Sequence, residues 1–329
     1  MIKKYIPSRL EKFLRYSRAF KAFYPSFYYD LDRYSRHSIK NTYPKNNTQL
    51  TAKIISLYHV IEKGLIMPDR RLGYGKDRIE LLLTLLKQYK KHYLYDKSIH
   101  YNSALKVLKT YIDIHESSEI DVNYIKLFLE NESFDKKTNG GYFELDKKTF
   151  IEKGKGNFED VVEVRKSIRN FSTEPVSKEI IYEAIKIAQN SPSTCNRQSA
   201  RVYLFSEKDK IMEALKLQEG SRGFDHKIDK LLMIGYDIEA YQGSGDRSSG
   251  YIDASLFAMS LLYALTYKGL GSVSLNWSKS KEKDVNLRKA INIKESHNIV
   301  FFIGVGNLND KTDIAVSARH NIDDILIEL

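Results

Sequence analysis

Residues 252–267 read IDASLFAMSLLYALTY, and residues 269–275 read GLGSVSL. The first stretch is apolar nearly all round, which predicts a central buried helix rather than a surface one. The glycines after it either cap that helix or let a ligand approach the backbone closely. Further toward the C-terminus, residues 300–306 (VFFIGVG) read as a buried strand closed by glycine. Toward the N-terminus, residues 200–205 (ARVYLF) and 231–236 carry β-type composition. Before them, Ser177 stands where it caps a helix whose inner face is Ile180, Ile181, Ala184, Ile185 and Ala188. Helices and strands mixed in this order predict a layered α+β or α/β domain.

Four polar constellations punctuate these elements. Residues 165–171 read RKSIRNF: three cations and a hydroxyl within five residues, then an aromatic. Arginine presents a planar fork of donors that suits phosphate oxygens, and serine adds another donor. Taken alone, such a run is more often a solvated basic turn. Residues 191–198 read SPSTCNRQ and join the Ser177 helix to the 200–205 strand. Side-chain amides there can donate and accept toward a planar heteroatom edge, although turn formers after a helix are common. The 269–275 segment is the third constellation. Arg319, within residues 318–321 (ARHN), is the fourth, and a single arginine is ordinarily surface. Cys195, the lone cysteine, forms no internal disulfide and no cysteine-based zinc site, and reads as a small buried thiol.

In order and spacing these four resemble the FMN-dependent nitroreductase family, over residues 158–329. The resemblance implies an α+β, three-layer fold with a central mixed or antiparallel sheet flanked by helices. It implies that Arg165, Ser167 and Arg319 hold the FMN phosphate, with Lys166 on the phosphate or ribityl side. Arg169 matches the cation beside the pyrimidine of the flavin, and Asn196, with Gln198 in the same loop, the amide at the ring edge. Residues 271–275, including Gly271, Ser274 and Leu275, match the segment packed on one ring face. The implied protein is a homodimer with FMN at the interface, its last ten residues reaching across. It would take hydride from NADH or NADPH and pass it to a small-molecule acceptor, of nitro or quinone type in assay, by a ping-pong mechanism. Two positions depart from the family pattern: Ser199 follows Gln198 where proline is usual, and Ser317 stands where a second basic residue is common. Those departures keep open an alternative, a scaffold or assembly protein that retained the fold and lost turnover.

The net charge of +11 lies entirely in the first half. Residues 1–150 hold 28 Lys/Arg against 17 Asp/Glu and 16 of the 23 tyrosines, whereas residues 151–329 are balanced at 25 of each. We therefore read two regions: 1–150, basic, Tyr-rich and mainly helical, and 151–329, the flavin-binding domain. Residues 136–156 read as a linker or ordered crossing segment. Leu10, Phe13, Leu14, Phe20 and Phe23 fall roughly on one helical face, with Arg9, Lys12, Arg15 and Arg18 on another. Leu81, Leu82, Leu85 and Leu86 predict a second helix, and Ile125, Leu127 and Leu129 a third.

Residues 59–65 (HVIEKGL) and 70–75 (RRLGYG) resemble an extension of nitroreductase-like proteins from bacterial surface-polysaccharide gene clusters. That implies a link to polysaccharide biosynthesis. His59 and Glu62 share a helical face and are candidates to line a substrate pocket, though such pairs are more often packed or solvated. The basic region is expected to pack on the flavin domain. Contact with an anionic membrane through the first helix is a lesser expectation, and nucleic-acid binding, for which no motif is present, is ranked last. No window is long and apolar enough for a membrane span or signal peptide, so a cytoplasmic, reducing location is expected.

Overall fold

The structure is a computed structural model that describes residues 8–39, 44–93, 98–133 and 139–329. The first half holds α1 (Ser8–His37), α2 (Asn47–Leu65), α3 (Lys76–His92), α4 (Ile99–His115), α5 (Asn123–Leu129), β1 (Tyr142–Asp146) and α6 (Lys147–Gly154). The second half continues with α7 (Phe158–Val164), α8 (Lys178–Ala188), β2 (Ala200–Phe205), α9 (Lys208–Gln218), β3 (Lys230–Asp237) and α10 (Ser249–Tyr267). It ends with β4 (Gly271–Asn276), α11 (Lys281–Ile291), β5 (His297–Gly306) and β6 (Lys311–Ala315).

Alternation along the strands builds the layers. The main sheet has strand order β2-β3-β5-β4, every neighbour antiparallel. Along β3, Leu231 and Met233 point into a core shared with Ile211 of α9 and Leu287 of α11. Leu232, Ile234 and Tyr236 point the opposite way, onto α8 and α10. A strand alternates side chains across its two faces, so a continuous apolar run must be covered on both. Leu232, Ile234 and Phe302 are 0% exposed; burying one such side chain contributes about 1.5–3 kcal/mol. The fold class is therefore α+β, with helices on both faces of the sheet and a helical region ahead of it.

Helix α10 corrects one expectation. It crosses the sheet but is not buried all round, because Tyr251, Ile252, Leu256 and Met259 stay exposed. Their spacing makes one continuous apolar stripe along the side away from the sheet.

In the first half, α2, α3, α4 and α5 share a separate core containing Ile54, Ile61, Leu82, Leu86, Leu105, Leu108 and Ile125. Leu81 packs at its edge. The third predicted helix exists as α5, but Leu127 is exposed and Phe128 is buried instead, since positions two apart lie on different sides of a helix. Helix α1 contains Pro25, and its described aromatics form no buried face: Phe20 and Phe23 are exposed. They stack along the helix, with ring centroids 4.4 Å apart for Phe20–Tyr24 and 5.5 Å for Tyr24–Tyr28. Leu10 and Phe13 carry side chains outside the described residues. Asp30 ties α1 to the second half by accepting two hydrogen bonds from Arg247, at 2.5 and 3.0 Å.

The segment read as a linker or crossing carries β1 and α6, and residues 134–138 lie outside the described residues. Strand β1 pairs antiparallel with β6 in a two-stranded sheet. The Asp146 side chain caps α6 by accepting from the Thr149 N–H. No helix among the described residues is long and apolar enough to cross a membrane.

Candidate functional site

The basic motif is fixed by its apolar members. A capping box between Asn157 and Asp160 starts α7, which ends at Arg165 as the backbone turns extended. The chain then runs beside β4: Ser167 bridges Ser272 in parallel, and the Ile168 N–H donates to the Ser272 carbonyl at 2.9 Å. Ile168 and Phe171 plug the core at 0% and 1% exposure. They fit because Gly271 and Gly306 lack side chains; a Cβ on Gly306 would stand 2.7 Å from the Phe171 ring, and one on Gly271 3.1 Å from Ile168. The surroundings of Gly271 are thus filled by protein atoms. Ser274, farther along β4, is exposed.

With Ile168 and Phe171 as anchors, Arg165, Lys166 and Arg319 gather at one end of the motif. Burial draws the Arg165 guanidinium below its usual range, and Arg319 draws it further. Lys166 is lowered by burial and by both arginines. Among the described residues no carboxylate pairs with Arg165 or Arg319; Arg319 donates only to the Ser317 carbonyl. Like charges held together oppose their own ionisation, and Glu163 offsets this only in part, at Lys166. An anion bound among them would relieve that strain.

Arg169 occupies the other end. It is 7% exposed, and burial brings its guanidinium down to about 10 against the opposing pull of Glu62. Its one bond among the described residues is donated to the Ser167 carbonyl, at 3.3 Å. Arg169, Ser274 and Leu275 line a cavity of about 340 Å³, and the opposite wall comes from α2 as His59 and Lys63. His59 therefore does reach the cavity. Behind it Glu62 is 0% exposed; one oxygen lies 3.2 Å from His59 Nδ1 and the other accepts from the Gly141 N–H, also at 3.2 Å. The departure at residue 317 meets the same place, because Ser317 Oγ lies 3.5 Å from His59 Nδ1.

The amide loop is not brought to that cavity within one chain. Residues 191–199 lead into β2, at the far edge of the sheet from β4. Three strand spacings separate those edges, about 14 Å. Cys195, Asn196 and Gln198 all have positive φ, from 50° to 56°, and this tight turn pushes Cys195 outward. It is an exposed thiol, not a buried one. Asn196 is exposed too, and accepts from Gln198 Nε2 at 3.3 Å. Gln198 and Ser199 line a second cavity, of about 370 Å³. Ser199 is 0% exposed, its Oγ 2.5 Å from the Tyr241 hydroxyl, which donates to Asp253 at 2.7 Å. Asp253 also accepts from the Thr194 N–H and hydroxyl, both at 2.9 Å. The residue after Gln198 thus anchors the loop. Asp253 had a signal in the sequence: it is the one charge in an apolar helix, and a buried charge needs partners.

The segment carrying Arg319 is held by a histidine pair. Tyr58 OH lies 2.8 Å from His100 Nδ1, and His100 Nε2 lies 3.0 Å from His320 Nδ1. His100 is 4% exposed; burial and then His320 depress its pKa to about 4, against an ordinary 6.5. An unfolded His100 takes up its proton near pH 6.5, a folded one only near pH 4. Stability should therefore fall as pH drops through that window. Urea titrations at pH 7 and pH 4.5 are expected to show the loss, and His100→Gln should make it smaller.

Residues 162–221 match the family model described as "Nitroreductase family". The match contains Arg165, Ser167, Arg169, Asn196 and Gln198. No curated protein matches. Among solved structures, the nitroreductase family protein from Streptococcus pneumoniae is 20% identical, covering 53% of this chain and 100% of its own, with a TM-score of 0.47. A protein from Exiguobacterium sibiricum, described as a nitroreductase and solved in complex with FMN, is 17% identical over 53% of this chain and 97% of its own, TM-score 0.47. One from Staphylococcus epidermidis, described as an NAD(P)H:FMN oxidoreductase, is 19% identical over 53% and 96%, TM-score 0.48.

Proposed function

We propose that this protein is an FMN-dependent oxidoreductase that takes hydride from NADH or NADPH and delivers it to a small organic acceptor. The observation that carries the reading is the unpaired cation cluster of Arg165, Lys166 and Arg319 at one end of a motif whose other end, Arg169, faces a cavity. A phosphate dianion suits the cluster, because charge-assisted hydrogen bonds are the strong ones. The donor set therefore fits FMN, with Arg165, Ser167 and Arg319 on the phosphate, Lys166 beside them, and Arg169, Ser274 and Leu275 along the ring. Bound there, FMN supplies the hydride chemistry, in two half-reactions that share one space. The Arg169 cation favours negative charge on the adjoining ring edge.

The amide loop enters through the proposed quaternary state. Asn196 and Gln198 lie at the opposite sheet edge from Arg169, so they contribute to the site if a second copy presents them. The exposed apolar stripe of α10 and the exposed Ile325, Leu326, Ile327 and Leu329 of the C-terminal segment support such a homodimer. The link to polysaccharide biosynthesis, with a glycan precursor as acceptor, remains part of this proposal. Anaerobic addition of NADH or NADPH to the purified protein tests turnover. Bleaching of the flavin absorbance by one donor, and its return on adding a quinone, is expected. Bound flavin that neither donor reduces would favour the scaffold alternative.

A further inference from the structure

Helix α1 leaves uncovered a face that its sequence marks as apolar. Tyr16, Phe20, Tyr24, Phe27, Leu31 and Tyr34 follow one another at three- and four-residue spacings, which places them on one side of the helix. Each is at least 45% exposed, and the stripe runs for about 27 Å along the axis. Arg15, Arg18, Lys21, Arg33 and Arg36 fall on the opposite side, all of them exposed. Arg36 pairs with Asp32 at 2.6 Å; the other four make no ion pair among the described residues. Asp30 is engaged by Arg247. Over the whole helix, seven Lys/Arg stand against three Asp/Glu.

A patch of this size marks an interaction surface rather than stray exposure, and three features fit it to lipid. The hydroxyls of Tyr16, Tyr24 and Tyr34 have no hydrogen-bond partner among the described residues. Buried in a protein interface each would need one, whereas at a bilayer boundary the ring sits in the apolar layer and the hydroxyl reaches the headgroups. The cations stand away from the aromatic side, at the level of the headgroups when that side lies in the acyl boundary. A second copy would bring the same surplus, 28 Lys/Arg against 17 Asp/Glu over residues 1–150, whereas an anionic bilayer supplies the opposite charge.

We propose that α1 is a membrane-surface anchor. It lies along an anionic bilayer with its aromatic side in the acyl boundary and Arg15, Arg18, Lys21 and Arg33 among the headgroup phosphates. The association is peripheral, since no described helix is long and apolar enough to cross. The basic region is therefore not wholly packed on the second half: α2, α3, α4 and α5 have a core of their own, and α1 keeps its aromatics outside it. The ion pair of Asp30 with Arg247, at 2.5 Å, holds the second half beside the membrane. This role goes beyond the function proposed above and does not depend on flavin.

The test is co-sedimentation of the purified full-length protein with two kinds of vesicle, phosphatidylcholine alone and phosphatidylcholine with about one-third phosphatidylglycerol. Binding to the anionic vesicles is expected to be tighter by a factor of about ten or more, and to weaken as salt rises. The triple variant Arg15→Gln, Arg18→Gln, Lys21→Gln should lose about a hundredfold of that binding, at about fivefold per cation. The triple variant Phe20→Ser, Phe27→Ser, Leu31→Ser should lose it with the charge unchanged, because the buried apolar area is gone. Both should keep the wild-type circular dichroism melt, since every altered side chain is exposed. No binding to anionic vesicles, equal binding to the two compositions, or binding that either variant leaves intact would overturn the proposal. So would sedimentation velocity in which the serine variant splits a larger assembly into smaller ones, since the face would then belong to a second copy.

Discussion

Replacing Arg165 and Arg319 together by alanine is expected to strip the protein of FMN while leaving it folded. Each arginine would give a phosphate dianion a charge-assisted hydrogen bond worth about 1.5–3 kcal/mol. Losing both weakens binding by about 3–6 kcal/mol, roughly a hundredfold to ten-thousandfold. The fold should survive, because neither guanidinium is paired with a carboxylate among the described residues. Removing either one relieves repulsion that now lowers Arg165 and Lys166. Flavin occupancy after desalting and a circular dichroism melt measure the two halves of the prediction. A double variant that keeps flavin at wild-type occupancy would remove the phosphate from this cluster.

Glu62→Ala is expected to act in the opposite sense, on the fold more than on ligand binding. Glu62 is 0% exposed, receives the Gly141 N–H, and is the carboxylate whose field opposes the loss of charge on buried Arg169. Removing one member of a buried charge arrangement leaves the other uncompensated, at a cost of about 3–5 kcal/mol. The Gly141 N–H, where β1 begins, would lose its acceptor as well. Glu62→Gln should cost less, since an amide oxygen can still accept that bond. Urea midpoints for the three proteins decide it; a Glu62→Ala midpoint equal to the wild type would show that Arg169 needs no counter-charge.

Much of the second half was legible because its signals are local. Residues 231–236 and 300–305 form strands buried on both faces, as continuous apolar runs demand. Ser177 caps α8, and α3 follows its leucine stripe, with Leu82, Leu85 and Leu86 buried. The misreadings have physical reasons. An apolar circumference on α10 does not reveal that Ile252 and Leu256 are left uncovered, because that depends on where neighbouring layers stop. The usual burial of a cysteine side chain does not hold at Cys195, because a turn with three positive φ values decides its exposure. Strand β1 has only five residues, and its partner lies far along the chain, at residues 311–315.

The site divides in the same way. Arg165, Lys166 and Arg169 are readable from a seven-residue motif, whereas Arg319, which meets Arg165 and Lys166 in space, stands near the far end of the chain. The contribution of α2 is not readable in this way, because His59 and Ser317 meet across 258 positions. Lys63 stands beside Glu62 in the segment that drew attention, but nothing local shows which of the two faces the cavity. Burial separates them: the carboxylate lies wholly inside, and the ammonium remains at the wall.

The visible absorption spectrum of the purified protein, followed by acid release and identification of the chromophore, tests the central claim most directly. A yellow protein releasing one FMN per chain is the predicted result. A colourless protein that also fails to take up added FMN would contradict it, leaving the α+β fold without the cofactor and favouring the scaffold alternative.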